Sequence, residues 1–122
     1  MFRDPERFIQ EKLSKKMLSA NTVRDAMMAS FILTLQKREA AAGAAMPDPV
    51  AWREAKAREM RAAAAAAFAA IGAPFEYPTL PQMEKVKEAI ERTYHWDHLS
   101  ADLREAHEGH CRQLFSKFEE PF

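Results

Sequence analysis

The sequence predicts an all-α protein: a single domain, residues 1–122, built as a bundle of about five helices with the second at its centre. Apolar residues recur three and four positions apart through most of the chain. Only 3 of 122 residues are glycine, against a surplus of Ala, Glu, Lys, Arg and Met. No segment alternates β-branched with polar residues in the way a half-buried strand requires.

Asp4 before Pro5 marks the first helix start, since the carboxylate can accept orphan amide protons and proline at the first helical position sacrifices no needed donor. The helix is expected over about residues 5–18, with Ile9, Leu13 and Met17 as its stripe and Phe8 and Leu18 to either side. Thr22 followed by Asp25 approximates a capping box for a second helix running to about Ala42, with Gly43 as its stop. Its run "AMMASFILTL" is apolar all round except for Ser30 and Thr34, whose small hydroxyls can bond back to the helix backbone, so this helix belongs at the centre.

Asp48 and Pro49 repeat the opening device. The third helix should extend through the alanine run to Ile71 before Gly72 and Pro74 end it, with Val50, Ala57, Met60, Ala64, Phe68 and Ile71 inward. "GAPFEYPTLPQ" is an irregular connector that Phe75 and Tyr77 should pin to the core. Thr79 with Gln82 is a capping-box match for a fourth helix over about Leu80–Tyr94, striped by Met83, Val86, Ile90 and Tyr94. Ser100 then caps a fifth helix to about Phe118.

Charge narrows the function classes. There are 18 basic and 18 acidic side chains, so the cationic excess that nucleic acid rewards is absent. Residues 1–61 carry 12 basic and 8 acidic groups and residues 62–122 carry 6 and 10, a split of +4 against −4 that ordinary helix surfaces account for and that also allows attraction within the fold or in a dimer or complex. The most apolar run is shorter than the roughly 20 residues of a membrane span. A lone cysteine and an N-terminus without signal or transit pattern make the cytoplasm the expected location.

One stretch invites a chemical reading. "YHWDHLSADLREAHEGHC" holds all four histidines and the only cysteine, and His95 with His98 and His107 with His110 share the three-residue spacing that puts two imidazoles on one helix face. Periodicity places His107 and His110 on the core-facing side of helix five, beside Leu103, Cys111, Leu114 and Phe118. Glu84, Glu88, Glu91 and His95 should lie on the solvated face of helix four. Arg104 and Arg92 stand three residues before His107 and His95, where a di-iron bundle needs glutamates, and zincin and structural-zinc spacings are missing. Nucleophilic catalysis, a phosphate loop and a helix-turn-helix find no support either, since Cys111 lies about 100° from His110 around the helix.

The expected function is therefore a small non-catalytic accessory or regulatory protein, without a cofactor, that acts through a protein partner or self-association. Candidate contact residues are the aromatic and apolar side chains left over by the stripes: Phe8, Leu18, Trp52, Trp96, Phe115 and Phe122. The alternative is a divalent-metal or redox-linked helical protein using the His95–Cys111 segment, with His107 and His110 as ligands to Zn or Fe.

Overall fold

The computed structural model describes residues 3–119, and among these every regular element is helical. α1 spans Pro5–Leu13, α2 Ala20–Ala41, α3 Pro49–Ala70, α4 Leu80–Thr93 and α5 Ala101–Ser116, with a short 3₁₀ turn at Trp96–His98 between the last two. α2 is the central helix and packs against all four others.

Most starts follow the expected chemistry. Asp4, Asp48 and Ser100 accept from Arg7, Ala51 and Leu103 amides, and Thr79 with Gln82 forms the full reciprocal capping box. The cap of α2 is Ser19, three residues earlier than expected, because its hydroxyl accepts from the Thr22 amide. α1 stops five residues short of the expected end. There Leu18 leaves the helical path to exchange backbone hydrogen bonds with the end of α5, accepting from Glu119 at 2.9 Å and donating to Lys117 at 2.8 Å. Met17, expected on the α1 stripe, is consequently exposed.

α2 and α3 both end in a left-handed glycine. At Gly72 the Ala73 amide reaches back to the Phe68 carbonyl and the Gly72 amide to Ala69, and Gly43 ends α2 with the equivalent pair. Ile71 sits at the α3 cap and is exposed, so the α3 stripe reduces to fully buried Met60, Ala64 and Phe68 with half-buried Val50 and Ala57. Met83, Val86, Ile90 and Tyr94 are all buried, as the α4 pattern requires.

The main core gathers around Phe31, Ile32, Met27, Phe68 and Leu114, while Ile9 of α1 packs on Ala29 and Leu33. Each such large side chain contributes about 1.5–3 kcal/mol by leaving water. The connector after α3 is held by Phe75 alone of its two aromatics. Buried Arg24 stacks on the Phe75 ring 4.0 Å from its centroid and donates to the Phe75 carbonyl, and Arg61 approaches the same ring at 4.8 Å. Tyr77 is exposed at a positive φ of 53°, and only its backbone is tied, by its amide to Asn21.

Gly72 has a φ of +68° and nothing within 4 Å of where a Cβ would stand, so Gly72→Ala introduces backbone strain without a clash. Urea unfolding should show a loss of about 1 kcal/mol, the cost of placing a Cβ in the left-handed region.

Candidate functional site

The histidine pair of α5 is built into the core by one hydroxyl. Ser30 lies in the middle of buried α2, and its Oγ is 2.8 Å from His107 Nδ1 and 3.2 Å from His110 Nδ1. Thr34 makes the back-bond expected of both hydroxyls, to the Ser30 carbonyl at 2.8 Å, whereas the Ser30 hydroxyl is used across the helix interface. On its other side His107 Nε2 lies 3.4 Å from Cys111 Sγ.

Four groups thus form one hydrogen-bonded chain: Cys111, His107, Ser30, His110. Ser30 has a single hydroxyl proton, so every partner is satisfied only when one imidazole carries its proton on Nδ1 and the other presents a bare Nδ1. The chain therefore has two self-consistent proton arrangements, one running in each direction. His107 is fully buried and wedged between aromatic rings, with Phe31 at 4.2 Å and Trp96 at 5.0 Å between centroids. His110, at the open end, is half-buried.

Burial sets the protonation states. It pushes the His107 imidazole down to about 3, helped by the charge of Lys87 and by His110. His110 is lowered by burial and by Lys37, against an opposing pull from Glu6. The Cys111 thiol is pushed up to about 12 by burial. All three groups are neutral near pH 7, and a thiol so far from ionising is a poor nucleophile.

The geometry also separates the possible ligands. His107 faces Cys111 with one ring nitrogen and Ser30 with the other, so one ion cannot join Cys111, His107 and His110. Among the described residues no three His, Cys, Asp or Glu side chains gather to hold a metal. His95 and His98 remain apart from this chain. They are exposed at the 3₁₀ turn, their rings stacked at 5.8 Å, with His98 Nε2 3.5 Å from the Asp97 carboxylate.

Beside this polar core α4 and α5 diverge, and a groove separates them. Lys87 spans it, donating to Glu91 at 2.6 Å and Glu108 at 2.7 Å. Burial alone would lower the Lys87 ammonium, but its bonds to Glu108 and Glu91 outweigh that and hold it above the ordinary lysine value. Glu84, Glu88 and His95 are exposed as their helical face predicts, while Glu91 is half-buried because Lys87 draws it into the groove. The groove widens into a cleft of about 490 Å³ lined by Glu88, Glu91, Arg92, Trp96, Asp97 and Arg104. A second hollow of about 200 Å³ has Cys111, Lys87 and Phe115 in its wall.

The aromatic contact candidates divide by burial. Trp96 is only 3% exposed and Leu18 4%, so neither is the free surface residue the sequence suggested. Trp96 fills the space between Phe31 and His107, and Leu18 is held by the end of α5. Phe8, Trp52 and Phe115 are half-buried, and Phe122 lies outside the described residues. Sequence reasoning missed Ser30 as the centre of the polar chain, although a hydroxyl inside an otherwise apolar helix signals a partner on another element. Comparison with known proteins finds no matching family model, no similar curated protein and no similar solved structure.

Because the folded pKa of His107 lies below its unfolded value of about 6.5, the unfolded chain binds an additional proton in acid, and His110 acts in the same direction. Stability should be full above about pH 6.5 and decline below it, His107 alone removing about 1.4 kcal/mol between pH 7.5 and 5.5. Urea midpoints at the two pH values measure this, and His107→Leu should shrink the difference.

A double-mutant cycle tests the hydrogen bond itself. Ser30→Ala strands the buried His107 Nδ1 and should cost about 1–3 kcal/mol. Ser30→Ala combined with His107→Leu should cost less than the sum of the two single changes, because no stranded polar group remains between them.

Proposed function

We propose that this chain is a small non-catalytic accessory or regulatory protein that works by binding another protein through the outer face of α3. The observation that carries this reading is an uncharged exposed surface. From Ala62 to Phe75 the chain has no charged residue, and Ala62, Ala65, Ala66, Ala69, Ala70 and Ile71 are exposed. Ile71 is 42% exposed, and Tyr77, at the far side of the connector, 63%. Half-buried Trp52 lies nearer the start of α3 on the same side, but the Lys56–Glu59 ion pair stands between it and the alanines and the Lys56 ammonium covers its ring at 5.5 Å, so the uncharged face begins after Arg61.

A face of methyl groups flanked by an exposed isoleucine and an aromatic suits the apolar stripe of a partner helix. Small side chains let two helix axes approach, and burying Ile71 and Tyr77 supplies apolar area at the edge of the contact. The neutral thiol and imidazoles inside the core support a binding role over a catalytic one, since they are occupied with one another. No helix among the described residues is long and apolar enough to cross a membrane. The buried free thiol of Cys111 suits a reducing compartment such as the cytoplasm.

Ala66→Lys and Ala70→Lys place charges on this face at exposed helical positions, where folding stability should change by no more than about 0.5 kcal/mol. A partner recovered by cross-linking in the native cell, or a self-complex seen by light scattering, should bind the double variant at least about tenfold more weakly, because a desolvated charge would face it. Unchanged affinity would remove α3 as the docking face. A monomer that recovers no partner would remove the interaction reading altogether.

A further inference from the structure

We propose that the Ser30-centred chain is a two-step proton switch: His110 takes a first proton within the intact fold, and a second proton, on His107, releases α5 and Trp96 from the central helix. This inference is independent of the α3 docking face.

The first step follows from the connectivity of the chain. His110 Nδ1 and His107 Nδ1 meet at one hydroxyl oxygen, 3.2 and 2.8 Å away, and His107 Nε2 ends at Cys111 Sγ, 3.4 Å away. A proton added to half-buried His110 fixes the direction in which the chain runs. His110 Nδ1–H then donates to Ser30, the Ser30 hydroxyl to His107 Nδ1, and His107 Nε2–H to the Cys111 sulfur, so each of these atoms keeps a partner. The charges facing His110 from the neighbouring helices oppose one another, Lys37 of α2 resisting the proton and Glu6 of α1 favouring it.

The second proton has no such place. With His107 also protonated, both Nδ1 atoms donate to a single oxygen, and two imidazolium charges are held as close as that shared hydroxyl requires. From α4 the Lys87 ammonium, engaged by Glu91 and Glu108, faces His107 with the same sign. α5 itself adds His110 and the neutral Cys111 thiol, while Phe31 of α2 and Trp96 of the 3₁₀ turn present only rings. Among the described residues no carboxylate forms an ion pair with either imidazole. A charge enclosed without an anion is relieved by water, and water reaches fully buried His107 once α5 moves.

The architecture determines what moves. α5 packs extensively on α2 alone; its contact with α1 is small, and the Lys87–Glu108 ion pair links it to α4. α3 and α4 pack on one another and on α2 through surfaces that hold no histidine, since all four histidines lie between residues 95 and 110. Trp96 follows α5 because its ring lies against His107 as well as Phe31. The His107 imidazole is held down at about 3 in the closed fold and returns to about 6.5 in water. The released form therefore gains on the closed one as pH falls below the free value, by about a hundredfold between pH 7.5 and 4.5.

The experiment is amide hydrogen exchange on the full chain in steps from pH 7.5 to 4.5, corrected for the intrinsic pH dependence of exchange, with the imidazole ¹⁵N signals followed in the same samples. The expected result is a loss of protection of about a hundredfold in α5 and at Trp96, with α3 and α4 amides at least about tenfold better protected than those of α5 at every step. His110 should bind its proton while α5 is still protected, and His107 only as α5 protection is lost. His107→Leu should remove most of the acid response of α5. One protection level shared by α3, α4 and α5 at every pH would mean that the chain opens as a whole and would overturn the proposal. So would α5 protection indifferent to pH, an acid response kept in His107→Leu, or His107 protonating ahead of His110. Should His107→Leu fail to fold, the wild-type imidazole signals decide the order of protonation and the exchange pattern decides which element moves.

Discussion

A hydroxyl in the middle of a buried helix must find partners, and that of Ser30 is met by the two imidazoles of α5. An unpaired polar group at that depth costs as much as several methylene groups contribute, so the bond sets the register of α5 on α2. Sliding α5 by one residue would rotate His107 by about 100° away from Ser30 and leave both groups stranded in an apolar core. Apolar packing alone tolerates such adjustments. A directional hydrogen bond does not.

The consequences spread outward from this bond. With His107 seated against Phe31, Trp96 is drawn beneath the α4–α5 connection, and His95 accepts a left-handed conformation, φ of 54°, to let the chain turn there. Because α5 is committed to α2, it cannot also lie flush against α4. The resulting space is spanned by Lys87 of α4, whose ion pair with Glu108 of α5 links the two helices while Glu91, one turn along α4, holds its ammonium in place. The cleft above Trp96 is therefore a by-product of core packing, and its wall inherits the rigidity of the core.

The same logic accounts for the chemistry that the histidines do not perform. Their spacing would suit two metal ligands, yet the ring nitrogens that could converge meet at a serine oxygen, and the remaining nitrogen of His107 turns to a neutral thiol. A polar chain whose buried imidazole is wedged between Phe31 and Trp96 specifies one arrangement of the core, at the cost of sensitivity to acid. Arg24 serves similarly at the opposite side, where a buried guanidinium fastens an otherwise irregular connector through the ring and carbonyl of Phe75.

Local signals in the sequence determined most of the fold. The caps at Asp4, Asp48, Thr79 and Ser100, the stops at Gly43 and Gly72, and the burial of Met83, Val86 and Ile90 each follow from residues within one or two helical turns, where side chain and backbone interact without the rest of the chain. The inward orientation of His107 was legible for the same reason, since helical period fixes a side chain's direction. Tertiary structure alone decided the end of α1, because Leu18 is claimed by backbone groups about a hundred residues away. It also decided that Phe75 and not Tyr77 anchors the connector, that Trp96 is core and not surface, and that Ser30 is the partner of both imidazoles. Each of these depends on a pairing between distant segments, and a one-dimensional pattern states which faces are apolar without stating which face meets which.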